Sequence, residues 1–258
     1  MHDRYLSAGL GVASTNAGIF HWHKAIALFN NKLSGQVLPE ERDALWGVAA
    51  FLGILALYYI EAKTPDEAWP LKPPSSLDLN WLKLSDGKKA VWAIADPLRD
   101  DSIFRPVALS HLSFRPGFPA KRSLYALPPE IIEACGLGTI SNLDNNEYYG
   151  VALSLAQVID AENVFVITMS FLSLISNMRQ YFLRSMQVKD PRALLLMACW
   201  YAKVSQCQLW SFLDRATLES QSICTYLERN HGHEVGILKA LKIPRLLLCP
   251  MFERAELG

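Results

Sequence analysis

Hydrophobic positions recur along this chain at spacings of three and four, and no alternating β-branched run of strand length breaks that pattern. The longest apolar run lies between Ala44 and Ile60, which holds no charged residue. Leu45, Val48, Leu52, Leu55 and Tyr59 make one stripe along it, and Trp46, Ala50, Ile54 and Tyr58 make a second. A helix apolar on nearly all sides is surrounded, either by other helices or by lipid. Spanning a bilayer takes about 20 apolar residues. This run is shorter, is interrupted by Gly47 and Gly53, and is flanked by Arg42 and Lys63 mixed with acids, so nothing orients it in a membrane. The segment reads as a buried central helix. It opens at Pro39, with Glu40, Glu41 and Asp43 near the positive end of the helix dipole.

The same spacing predicts a short helix over residues 2–12 and another from the N-cap candidate Asn16 to Leu33, stopped by Ser34 and Gly35. Pro65, Pro70, Pro73 and Pro74 forbid a regular helix after Thr64, and Trp69 among them is placed to pin that loop on the core. Helical spacing returns from Asp78 to Asp96, with Trp81, Leu84, Val91, Trp92, Ala95 and the stem of Lys88 as burial candidates. From Leu98 to Asp144 scattered prolines and glycines leave room only for a short helix at Pro129 to Cys135. Two helices are then predicted, Asp144 to Ile159 and Asn163 to Met186. Asp190 followed by Pro191 is a strong start signal for a helix running to Ala216, apolar on several faces. Thr217 to Arg229 and Glu234 to Leu241 complete the set. The expectation is an all-α fold: a single helical domain over residues 1–258, built around two buried apolar helices.

Composition narrows the functional classes. Lys plus Arg and Asp plus Glu are 25 each, which gives no overall electrostatic footprint for nucleic acid. The most basic window, Ser102 to Tyr125, carries only Arg105, Arg115, Lys121 and Arg122, the pattern of a solvated face. Five cysteines without a CxxC pair argue against a disulfide framework and a zinc cluster, and predict buried reduced thiols. His2, Asp3 and Arg4 precede only a short apolar patch, which is not a signal-peptide pattern, and no N-x-S/T acceptor occurs. Those features predict an intracellular protein.

Motifs for bond-breaking chemistry fail one by one. Gly9-Leu10-Gly11 lacks the third glycine and the preceding strand of a dinucleotide fingerprint. No Walker loop or GxSxG elbow occurs, and His233-Glu234 lacks the second histidine of a zincin helix. His21 and His23 stand about 200° apart around a helix and cannot share a metal. No metal and no cofactor is expected. What remains is aromatic content: seven tryptophans, with Trp200, Tyr201 and Trp210 beside Met197 in the Asp190 segment. Trp200, Lys203, Cys207 and Trp210 repeat at helical spacing, as core or as one wall of an apolar pocket. Lys203 in that stripe either reaches the surface or offers a donor to something polar inside.

Several segments together resemble the regulatory, ligand-sensing region of fungal zinc-cluster transcription factors, the six-cysteine finger proteins related to sterol-uptake-control regulators. The carrying residues are His2 to Ser7 (HDRYLS), His21-Trp22 with Ala25 to Phe29, Arg42 to Trp46 (RDALW) and Pro65 to Leu71 (PDEAWPL). Trp81-Leu82 with Gly87-Lys88 and Asp96 to Arg99 with Asp101-Ser102 follow. Asp190 to Leu196, Trp200 to Lys203, Glu219, Ile223-Cys224 and Tyr226 to Arg229 close the match. The resemblance implies an all-helical region holding a sterol in an internal pocket. The cysteine-rich DNA-binding module of that family is not in this sequence.

Three functional classes follow. The first is a ligand-sensing module whose apolar pocket takes a bulky sterol- or terpenoid-like molecule and whose occupancy shifts a conformational equilibrium. The second is a cofactor-free cyclase of Diels-Alder type in fungal secondary metabolism, acting through proximity and one donor on a developing negative oxygen. The third is an interaction domain whose helices form a homodimer surface. For the first two the ligand-binding candidates are Trp46, Tyr58 and Trp92 on one side, and Met197, Trp200, Tyr201, Lys203 and Trp210 on the other. With balanced charge and no zinc-cluster spacing, the chain alone should give no shift of duplex DNA at micromolar protein and physiological salt. Micromolar binding that weakens steeply with added salt would reveal a basic surface this reading misses.

Overall fold

The computed structural model describes residues 16–114 and 123–255; the side chains of residues 16, 17, 19, 83–86 and 250–255 fall outside that description. The helix expected over residues 2–12 lies outside the described residues. All regular elements among the described residues are helical, as the spacing predicts. They are α1 (Asn16–Leu33), α2 (Arg42–Tyr58), α3 (Asn80–Ala95), α4 (Arg105–Ser113), α5 (Pro129–Ala134) and α6 (Tyr149–Ala156). There follow α7 (Val164–Asn177), α8 (Gln180–Gln187), α9 (Pro191–Ser205), α10 (Leu213–His231), α11 (Val235–Ala240) and α12 (Lys242–Ala255).

The centre is α9. Asp190 caps it by accepting from the backbone N–H groups of Arg192 and Ala193, both at 3.0 Å, with Pro191 in the first turn. Every residue from Ala193 to Ser205 is buried. Helices α6, α7, α8, α10, α11 and α12 all pack on it. The Pro-rich strap after Thr64 is held from outside: Ser222 Oγ donates to Ala68 O at 3.0 Å, and Lys189 Nζ to Pro70 O at 2.8 Å. Trp69 is buried beneath the strap, the pinning role its setting predicts.

The other expected central helix is not central. α2 forms a hairpin with α3 and touches α10 only near its C-terminal end. Leu45 and Ala49 join Val91 in a small satellite cluster with Phe29, Leu33, Val37 and Trp46, while Leu57 enters the main core with Ala56 packed against it. Val48, Phe51 and Tyr59 are exposed, and Leu52 is half-buried. Its apolar residues have more circumference than the hairpin covers. Its start differs from the reading: Pro39–Glu41 form a 3₁₀ turn and the α-helix opens at Arg42, next to Asp43, which accepts from Arg99 and Ser102, both at 2.7 Å, and from the Ile103 N–H at 3.0 Å.

Several boundaries differ from the spacing: the helix expected from Asp144 to Ile159 contracts to α6, and the one expected from Thr217 to Arg229 lengthens to α10. The segment read as one helix to Met186 breaks at Met178 and Arg179, both extended, to give α7 and α8. The Asp190 helix stops at Ser205, and Gln208 adopts a left-handed backbone (φ 51°) before α10 begins. Cys207 and Trp210 therefore lie beyond α9, and the four-residue stripe is not one helix face. Two further helices, α4 and α12, hold Pro106 and Pro244, tolerated near the start of each. Cys135, Cys199, Cys207 and Cys224 are buried and free, and Cys249 is exposed rather than buried. Burial pushes the Cys135 and Cys224 thiols up to about 12, so both stay protonated and inert.

Leu195 is fully enclosed, so Leu195→Ala should cost about 2–5 kcal/mol through lost burial and the cavity left behind. Leu52→Ala, at a half-buried position, should cost less than half as much. Equal losses in denaturant titrations would return α2 to the core.

Candidate functional site

The eight residues expected to wall one pocket fall into separate groups. Trp46 and Trp92 meet edge to face between α2 and α3, ring centroids 4.9 Å apart, with His111 of α4 on the far side of Trp92 at 6.2 Å. Tyr58, at the end of α2, meets Trp210 at 5.3 Å, where the connection from α9 to α10 reaches the surface. Met197, Trp200 and Tyr201 lie sealed in the core. Lys203 sits in the last turn of α9, where a cation is favoured by the helix dipole. It is buried, and burial lowers its pKa against the opposing pull of Cys207, Asp160 and Glu162. The carboxylates it feels, Asp160 and Glu162, lie in the turn after α6.

Around α9 the aromatics form a connected set that includes residues sequence reasoning did not assign to the site. Phe171 of α7 lies 5.9 Å from Trp200, 6.2 Å from Tyr201 and 5.9 Å from Phe212. Trp81 of α3 lies 6.4 Å from Tyr201. Trp200 Nε1 donates to Val151 O at 3.4 Å, so its one polar atom is satisfied.

Tyr201 is different, because it abuts a charge. The Arg215 guanidinium of α10 lies over the Trp81 ring at 5.3 Å and pairs with Glu219 one turn further on. Arg215 also donates to Leu57 O at 2.8 Å, to Ala56 O at 3.5 Å and to Tyr59 O, the open carbonyls at the end of α2. A positive group at a helix C-terminus is electrostatically favourable, and here it fastens the α2–α3 hairpin to the core. Glu219 spends one carboxylate oxygen on Arg215. Its other oxygen, Oε2, and the Tyr201 hydroxyl are buried beside one another, and neither makes a hydrogen bond of good geometry. Burial, with the Glu219 charge and a hydrogen bond to it adding and Arg215 opposing, holds the Tyr201 pKa well above the ordinary phenol value. The phenol therefore remains an O–H donor at neutral pH.

This arrangement can recognise an oxygen function: a neutral donor, a carboxylate acceptor and a nearby cation set in aromatic walls. The signal in the sequence was faint. Arg215 and Glu219 stand at i and i+4 on a predicted helix, the spacing of an ordinary surface ion pair. Trp81 was legible as buried but not as the platform for Arg215. Among the described residues no group of His, Cys, Asp or Glu is arranged to hold a metal ion, and no helix is long and apolar enough to cross a membrane. A shallow cleft of about 260 Å³ lies elsewhere, under the Pro-rich strap, lined by Trp69, Ser75, Ser76, Asp78, Gln187 and Lys189 among others. It shares no residue with the expected set. Comparison with protein-family models, curated proteins and solved structures returns no match.

Breaking the ion pair from one side leaves Glu219 charged, buried and alone, and strips the cap from α2. Arg215→Ala should therefore cost about 3–5 kcal/mol, and the double variant Arg215→Met, Glu219→Gln should recover a large part of it. A single-variant loss below about 1 kcal/mol, the level of a surface pair, would show that the cluster is dispensable.

Proposed function

We propose that this chain binds a bulky apolar small molecule of sterol or terpenoid class carrying a hydroxyl or carbonyl, and that Tyr201 and Glu219 recognise that oxygen. The observation that carries the reading is a buried, poorly paired polar couple, Tyr201 Oη beside Glu219 Oε2, on a tyrosine whose ring meets Trp81 and Phe171. Buried polar atoms that are poorly paired are costly, so a site that keeps two of them together gains when a ligand oxygen completes them. Apolar pockets fix their ligands with few polar groups of this kind.

The interior is closed as it stands, since Met197, Trp200 and Tyr201 are shut off from solvent. Entry requires aromatic side chains to part, and the Tyr58–Trp210 contact beside the Arg215-capped end of α2 is the natural place. Occupancy would then bear on how α2 is fastened. That supports the sensing role implied by the likeness to sterol-regulator regions: a ligand favouring the opened arrangement shifts its population. The cyclase reading uses the same donor, since a neutral Tyr201 O–H can stabilise negative charge developing on a carbonyl oxygen.

Titration with a fluorescent sterol, together with mass spectrometry of apolar molecules that copurify, tests the proposal. The parent should show saturable binding, and Tyr201→Phe should weaken it about tenfold, the worth of one buried hydrogen bond. The same variant should keep or raise Tm, because it removes a buried hydroxyl the unliganded protein pairs poorly. Undiminished affinity of the folded variant for every sterol or terpenoid that binds the parent would overturn the assignment.

A further inference from the structure

We propose that Lys88, held in the seam between α2 and α3, is an amine nucleophile that forms an imine with an apolar aldehyde or ketone lying against the Trp46–Trp92 pair. The inference uses different residues from the Tyr201 site and stands or falls without it.

The seam is shaped for the lysine. A β-carbon placed on Gly53 of α2 would stand 3.1 Å from Lys88 Cδ, 3.3 Å from Nζ and 3.4 Å from Cε. Glycine weakens a helix interior relative to alanine, and here it makes the room that the stem and the amine occupy. Trp92 lies one turn further along α3 and meets Trp46 edge to face, so two half-buried indoles continue the seam from the amine.

Among the described side chains, no carboxylate faces Lys88 from the elements packed on α3. α2 carries no charge from Ala44 to Tyr58, and α7 carries none at all. α4 contributes the His111 ring beyond Trp92 and Arg105, which pairs with Asp100. Among the described residues no ion pair or hydrogen bond engages the Lys88 amine. Removal from water without a counter-charge disfavours the ammonium form, and burial lowers the Lys88 pKa from the ordinary lysine value. An amine so placed offers more free base at neutral pH than a solvated lysine, the requirement for attack on a carbonyl carbon.

The chemistry closes without an oxidant or reductant. The amine lone pair forms the C–N bond, and the carbonyl oxygen takes up the proton the nitrogen gives, forming a hemiaminal. Loss of water from it leaves the C=N bond. An apolar carbonyl compound fits, because the walls are indoles and the apolar face of α2.

The intact chain is incubated with decanal and cyanoborohydride at neutral pH, and reductive alkylation is mapped on every lysine by peptide mass spectrometry. Lys88 should be modified about fivefold or more ahead of the exposed Lys63, Lys89 and Lys239, as expected for a larger free-base fraction. Gly53→Ala, folded by circular dichroism, should push the amine into water and abolish that lead while leaving the other lysines unchanged. If Gly53→Ala does not fold, the parent comparison alone decides. A Lys88 rate at or below that of the exposed lysines, or a lead that survives Gly53→Ala, overturns the proposal.

Discussion

A helix with no solvent-facing side has to be enclosed from every direction, and α9 sets that demand for this chain. Each residue from Ala193 to Ser205 needs a neighbour, and the six helices on α9 supply them. Their lengths follow from the task. α6, α8 and α11 are short because each covers one patch, whereas α10 runs along α9 from Leu213 to His231. The hydrophobic term is non-directional and proportional to area, so it fixes that α9 is enclosed without fixing which helix covers which side. Direction comes from the polar contacts that cross between elements, such as Ser220 Oγ to Ala198 O at 2.9 Å and Arg192 Nε to Ala134 O at 2.9 Å.

The polar groups in the interior are few, and Arg215 does the most. One guanidinium caps a helix, neutralises a buried carboxylate and stacks on an indole, so it ties α2, α3 and α10 into one arrangement. A buried ion pair adds little net stability compared with apolar residues of the same volume, because desolvation offsets the attraction. What it adds is registry, since three backbone carbonyls at the end of α2 accept only one placement of that fork. The odd atoms out, Tyr201 Oη and Glu219 Oε2, are a consequence of the same geometry. Glu219 is turned toward Arg215, and the phenol is left beside a carboxylate it engages only poorly.

The helical class and most helix positions were legible because 3.6-residue periodicity and caps act locally. Asp190-Pro191, Ser34-Gly35 and Asn163 act within a few residues of themselves, and Asn163 Oδ1 does accept from the Val166 N–H at 3.1 Å. Rank within the core was not legible. α2 and α9 look alike as apolar runs, yet α2 contains Gly47 and Gly53, where Phe104 and Lys88 press against the helix. A glycine inside a run marks close approach on one side, and one-sided approach is what a hairpin gives. The stop at Ser205 was hidden as well, since Gln206 to Trp210 keeps helical spacing and the reversal rests on a left-handed Gln208. That error carried Trp210 and Cys207 onto a face they do not share with Trp200.

Site legibility failed for a related reason. Aromatic residues identify themselves in a sequence, but the polar atom that gives an aromatic cluster its chemistry depends on a partner far along the chain. Tyr201 and Arg215 are drawn together by the reversal between α9 and α10, and Arg215 meets α2 from 158 residues away in sequence. No spacing rule reaches that distance. The same holds for Lys88, whose neighbour Gly53 sits on another helix, so its setting emerges only when α2 and α3 pair. Both groups sit at joints of the α2–α3 hairpin, one at its attachment to the core and one in its own seam. The hairpin has a small core of its own in Leu45, Ala49 and Val91, and it reaches the large one at one end, through Ala56 and Leu57 of α2 and Trp81 and Leu82 of α3. An element whose buried attachment is concentrated at one end opens more cheaply than the enclosed centre. Any response to a bound molecule in this fold is therefore expected at α2 and α3, with α9 as the fixed frame against which they move.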